Sequence, residues 1–160
     1  AAINGVAAGS AFQVALLCDI RVGHPGSRMG QAEINSGIPS VTGTWLMWDV
    51  LGRARTTEMV LTGRMIDGEE CYRIGLLNHL VPQDQVMAKA LEIARELAAK
   101  PPIAMKLNKR RLRQLTEPGF LEAEEAGKAI HAEAFASGEP QAMMAKFFAE
   151  REARKRQQAT

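Results

Sequence analysis

The chain is poor in cysteine and aromatic residues and lacks any long apolar run, and each shortage closes a class of function. Its two cysteines, Cys18 and Cys71, are too few for a disulfide framework. Cys18 lies in an apolar stretch, which predicts a reduced, buried thiol. The three histidines, His24, His79 and His131, are isolated, and no His-x-x-x-His or Cys-x-x-Cys pair occurs, so no metal site is expected. Aromatics make up 5% of the residues and the formal net charge is only +2. No basic motif is interleaved with aromatics, so no nucleic-acid partner is expected. The best apolar run stops at Asp19, too short to span a bilayer, and no membrane association is expected. The first residues carry no secretory signature, which makes the cytoplasm the expected location. No Walker or Rossmann glycine pattern appears.

What is present suffices for one domain with a sizeable core: 160 residues, 46% of them hydrophobic. The opening run, Ala1 to Asp19, reads as strand, small-residue turn and buried helix. Asn4-Gly5 and Gly9-Ser10-Ala11 let the backbone bend and let another group approach closely. A helix over Ser10–Leu17 would offer unpaired N–H groups and a partial positive charge at its first turn, a place to hold an oxyanion. Gln13 lies one turn further on the same side.

The remainder of the first half reads as mixed α/β. Ile20–Val22 and Arg28–Gly30 suit short strands around a turn at His24-Pro25-Gly26-Ser27. Helices are expected over Gly43–Leu51, stopped by Gly52, and over Arg53–Thr62, stopped by Gly63, with Met59, Val60 and Leu61 on the buried side. Asp67 reads as an N-cap with Glu70 as capping-box partner, opening a helix to Ile74 with Gly75 beyond it. Leu77–Val81 reads as a strand. The second half reads as helical: Gln83–Ala99, Ile103–Leu115, Phe120–Phe135 and Gln141–Arg156, punctuated by Pro101-Pro102 and Gly138-Glu139-Pro140. The shift near Pro82 divides the chain into residues 1–82 and 83–160.

Several residues invite chemistry. Ser10 lacks a Gly-x-Ser-x-Gly elbow, so its N–H matters more than its hydroxyl. Glu33 alone reads as a solvated carboxylate, and Gln13 alone as an ordinary helix residue. The tail from Lys146 to Arg156 reads first as a solvated helix face of mixed charge. Trp45 and Trp48 read as core or pocket wall.

The opening run, with Gln31-Ala32-Glu33-Ile34-Asn35-Ser36-Gly37-Ile38-Pro39, Leu61-Thr62-Gly63 with Ile66-Asp67, and Gly75-Leu76-Leu77-Asn78-His79-Leu80-Val81-Pro82, resembles the crotonase family, the enoyl-CoA hydratase/isomerase superfamily. These motifs appear in the family's order and at about its spacing, over about the first half of the chain. The resemblance implies an α/β fold: a ββα spiral core over residues 1–82, with its N-terminal turns missing, then a helical C-terminal region over 83–160. That region would serve oligomerisation, as trimer or dimer of trimers, and cover the active site.

The resemblance also implies acyl-CoA chemistry of fatty acid metabolism through a thioester enolate, with coenzyme A as part of the substrate and no other cofactor. The Ser10 N–H would polarise the thioester carbonyl beside Gly9, Glu33 would shuttle a proton, and Arg151 would contact the coenzyme A phosphates, with Lys146 a weaker match. The position of Gln13 is commonly a glutamate in the family. An amide cannot act as a carboxylate base, which weakens a two-glutamate hydratase reading and favours isomerisation or a specialised hydration. An alternative is a non-catalytic relative acting as a binding or assembly subunit. Against the family, the chain corresponds to roughly the last three-fifths of a full length. The expectation is therefore a fragment without the second oxyanion donor, nearly inactive alone.

Overall fold

The computed structural model describes residues 1–158. Six short strands form two three-stranded sheets. Strands β1 (Ala2–Ile3), β3 (Val22–Gly23) and β6 (His79–Leu80) are parallel, with Ala2 opposite Val22 and Val22 opposite His79. In the second sheet β2 (Val6–Ala8) runs parallel to β4 (Arg28–Gly30), which pairs antiparallel with β5 (Ile66–Asp67). The chain thus leaves one sheet at Ile3 and enters the other at Val6, turning through Asn4-Gly5. The first two circuits each add a strand to both sheets before a helix, the ββα spiral, and β5 and β6 complete the sheets on either side of the next helix.

Helix α1 spans Ser10–Leu17, as its small-residue start predicts. It buries Phe12, Ala15 and Leu16 but exposes Val14 and Leu17, so it is an apolar helix buried on one side rather than all round. Cys18 forms its C-cap and is half-buried; the fully buried thiol is Cys71, which burial pushes up to about 12 and so renders inert. Arg21 collects the carbonyls at the end of α1, donating to Cys18 O at 2.7 Å and, across to the next circuit, to Leu76 O at 2.6 Å. A cation at a helix C-terminus is electrostatically favoured.

Helix α2, Thr42–Thr62, is two helical segments that meet at a kink at Gly52, as expected, where φ is 69° and ψ is 171°. Gly63 ends it in the left-handed region. Met59 is buried, whereas Leu61 is exposed, because only one stripe of this segment faces the core. Asp67 caps α3 (Gly68–Arg73) by accepting from the Glu70 N–H at 2.8 Å. The Glu70 side chain does not complete a capping box. It takes Arg64 instead, at 2.9 Å, since a cation within reach outbids a neutral N–H.

The later elements are helical: α4 (Val86–Ala98), α5 (Pro102–Ala136) and α6 (Glu139–Gln158). A single α5 replaces the two helices expected there, running straight through Pro118. A proline inside a helix costs about 3 kcal/mol. Here the adjacent Gly119 lets the Trp45 ring pack directly on the α5 backbone, and Trp45 stacks edge-on against Phe120 at 5.7 Å. That contact ties α5 to α2 across the proline. Trp48 is exposed. Among the described residues no helix is long and apolar enough to cross a membrane.

Candidate active site

The site forms where β2 and β4 end side by side. The Gly9 N–H donates to Gly30 O at 3.0 Å, extending the strand pairing by one residue. Gly9 then turns with φ 55° and ψ −124°, a conformation that favours glycine, and α1 begins. The first bond of α1 runs from the Gln13 N–H to Gly9 O at 3.0 Å. Helix geometry therefore leaves the N–H groups of Ser10, Ala11 and Phe12 without acceptors inside the helix. Ser10 itself is exposed.

On the neighbouring strand, β4 leads through Gln31 to a 3-10 helix, Glu33–Ser36, with Glu33 as its first residue. The two halves meet at the Glu33 carboxylate. Gln13 Nε2 donates to Glu33 Oε1 at 3.2 Å, and Gln31 Nε2 donates to the same oxygen at 2.6 Å. A Cβ built on Gly9 would lie 3.1 Å from Oε1, so the glycine is where the carboxylate rests. Thr42, at the start of α2, donates its hydroxyl to Gln13 Oε1 at 2.9 Å. Glu33 Oε2 is buried and takes no hydrogen bond among the described residues.

The carboxylate is half-buried, and burial raises its pKa from the ordinary 4.5. The bond at its own backbone, the Gln13 amide and the electrostatic influence of His131 pull the other way without cancelling this. His131 belongs to α5 and bonds Pro39 O through Nε2 at 2.9 Å. The helical second half thus reaches the loop that follows Glu33. A half-buried glutamic acid with a raised pKa beside a helix N-terminus suits proton transfer.

Glu33, Gln13, Gly9 and the first turn of α1 at Ser10 are therefore brought together. Arg151 is not part of this cluster. It lies on α6 and lines a separate groove with Phe147, Arg154 and Lys155. Three contributors escaped the sequence reading: Gln31, Thr42 and His131. Gln31 had a local signal, since residues two apart at a strand end share a face. Thr42 and His131 had none, being 29 residues from Gln13 and 92 from Pro39.

Two small sheets wound in ββα circuits, with a carboxylate at the N-terminus of the first helix, define a crotonase-type α/β fold with a helical C-terminal region. The family model for enoyl-CoA hydratase/isomerase matches residues 1–158, and the chain belongs to that family. A crystal structure of an enoyl-CoA hydratase/isomerase from Pseudoalteromonas atlantica superposes with a TM-score of 0.86 at 27% identity, over 92% of this chain and 60% of that one. The short-chain-enoyl-CoA hydratase of Clostridium acetobutylicum is 36% identical over 110 residues, 68% of this chain and 42% of that protein. A Rhizobium meliloti protein described as "Probable enoyl-CoA hydratase" is 30% identical over 154 residues, 96% of this chain and 60% of its own length. The chain thus spans between two-fifths and three-fifths of these relatives.

Proposed function

We propose that this protein moves a proton at the α-carbon of an acyl-CoA thioester through an enolate, with Glu33 as the proton carrier. The observation that supports this most is the Glu33 carboxylate itself: half-buried, raised in pKa by burial, and set against Gly9 beside the first turn of α1. The thioester oxygen would lie at the Ser10 N–H. As Glu33 takes the proton from carbon 2 of a 3-enoyl thioester, the C–H electron pair moves into the enolate and its charge gathers on that oxygen, where the helix N–H groups stabilise it. Returning the proton to carbon 4 shifts the double bond and gives the 2-enoyl thioester, leaving Glu33 ionised as it began.

Gln13 supports this one-carboxylate reading, because its amide donates to Glu33 and is held by Thr42. It orients and does not accept a proton. Hydration of a 2-enoyl thioester is the second reading, favoured by the names of the relatives from Clostridium acetobutylicum and Rhizobium meliloti. In that case Gln13 would orient the attacking water. Arg151, with its neighbours Arg154 and Lys155, is a contact for the coenzyme A phosphates, supported by the basic groove these residues line with Phe147. Self-association, as a trimer or dimer of trimers, is supported by exposed Leu112, Leu115 and Leu121 on α5 and Phe147 and Phe148 on α6. Residues 83–160 would then both assemble the oligomer and cover the site through His131.

Deuterium exchange at the α-carbon of butyryl-CoA in heavy water, measured with the complete protein, tests the reading. Exchange that depends on Glu33 supports it. Tight acyl-CoA binding with no exchange would point to the non-catalytic alternative, a binding or assembly subunit.

A further inference from the structure

We infer that Thr42 and Gln31 are positioning residues that make the two oxygens of Glu33 inequivalent, so that Oε1 is the amide-held oxygen and Oε2 the one that carries the proton. This rests on Glu33 being the proton carrier, but its geometry can be tested separately.

Both amide donors converge on Oε1, from Gln13 at 3.2 Å and from Gln31 at 2.6 Å, while Oε2 is buried without a hydrogen-bond partner among the described residues. An ionised carboxylate only accepts, so it takes the Nε2 end of Gln13, and Thr42 holds the other end. The Thr42 hydroxyl donates to Gln13 Oε1 at 2.9 Å and so keeps Nε2 at Glu33. Gln31 is held by packing instead. It is 1% exposed, and a Cβ on Gly43 would come within 2.2 Å of its Nε2, so α2 closes directly over the amide. A proton on Oε1 would displace an N–H donor or force an amide to turn over. A proton on Oε2 displaces nothing. The same donors stabilise the ionised form, since hydrogen bonds to a charged oxygen are the strong ones.

Other charges facing the carboxylate are few. The helix α1 contributes Gln13, α2 contributes Thr42, the end of β4 contributes Gln31, and all are neutral. From α5, the His131 ring acts on Glu33 electrostatically. From α6, Glu139 packs against Gly37, four residues beyond Glu33. A pH profile must therefore be read with His131 in mind, and replacing Thr42 or Gln31 leaves both of those groups in place.

The test uses protein labelled with carbon-13 in its glutamate carboxyls, with Glu33 assigned through Glu33→Gln. The Glu33 titration is followed by NMR, and the stretch of its protonated carbonyl by infrared difference spectroscopy at low pH. Thr42→Val should raise the Glu33 midpoint by up to about one pH unit, the shift expected when the Gln13 amide, no longer held by Thr42, ceases to donate to the charged oxygen. Thr42→Ser keeps the hydroxyl and should restore the parent value. With the proton on Oε2, the carbonyl oxygen is Oε1, so the parent stretch should lie at low, hydrogen-bonded frequency and rise in Thr42→Val and in Gln31→Met. A parent stretch at free-acid frequency, or a midpoint unmoved in both Thr42→Val and Gln31→Met, would overturn the inference. Should Gln31→Met fail to fold, Thr42→Val at its half-exposed position decides alone. No thioester is present in these measurements, so failure of the proposed activity in the exchange assay is a separate outcome.

Discussion

Gly9 and Glu33 touch across the ends of two strands: a Cβ on Gly9 would lie 3.1 Å from Glu33 Oε1 and 3.3 Å from its carboxyl carbon. The glycine is required twice there, by its φ of 55° and by the carboxylate resting on it. Gly9→Ala should cost about 1–3 kcal/mol of stability, the range for a residue forced into a rarely populated backbone region. It should also push the carboxylate away from the first turn of α1. Denaturant unfolding checks the first effect and α-proton exchange the second. Unchanged values in both would mean that the turn relaxes freely and that Gly9 is not what seats Glu33.

Replacing Glu33 by Gln should lower α-proton exchange and isomerisation by about 100- to 10,000-fold, the span of general acid–base contributions. Acyl-CoA binding should survive, because the carboxamide oxygen still accepts from Gln13 and Gln31. Calorimetry beside a rate assay separates the two. Near-normal turnover would make Glu33 a structural carboxylate.

The same substitution should change how stability responds to pH. Burial raises the Glu33 pKa above 4.5, so the folded protein holds this proton more tightly than the unfolded chain does. Its contribution to stability is fully present below 4.5 and is lost as pH rises through the higher, folded value. The stability of Glu33→Gln relative to the parent should therefore improve as pH goes from about 4 to about 7. Urea midpoints at both pH values measure it, and a difference that stays constant would show that Glu33 is ionised in the fold as easily as in water.

Gln13→Glu should raise hydration of a 2-enoyl-CoA relative to 3-to-2 isomerisation, by about tenfold where general base catalysis by the new carboxylate is effective. The new carboxylate would stand against Glu33 Oε1, where the amide now sits at 3.2 Å. Two carboxylates that close cannot both ionise freely, so one pKa of the pair rises and the gain must depend on pH. Thr42 still finds an acceptor, which keeps the side chain in place. If the ratio of the two activities does not move at any pH, Gln13 lies outside the water site.

Much of this was legible locally. Helix α1 begins at Ser10 and ends at Leu17 because Gly9 breaks the strand and the following small and apolar residues favour helix. Strand β4 falls on Arg28–Gly30, and Asp67 caps α3, since a turn and an N-cap are decided by neighbours in sequence. The motifs around Gln13 and Glu33 likewise marked a candidate site, and in the structure those two side chains share a hydrogen bond.

Tertiary structure decided the rest. The break expected between Leu115 and Phe120 is absent: α5 continues through Pro118 where Trp45 packs on Gly119, because a local penalty of about 3 kcal/mol can be offset by packing a large ring against the helix. Local pattern put Glu70 in a capping box, and Arg64, six residues away, took it by charge. At the site, the sequence by itself named the carboxylate, the amide and the helix N-terminus. It carried no sign that Thr42 would orient the amide, or that His131, far along α5, would bear on Glu33. Those are contacts between distant segments. Hydrogen bonds and charges act over a few ångströms of space, and only the fold determines which residues lie within that reach.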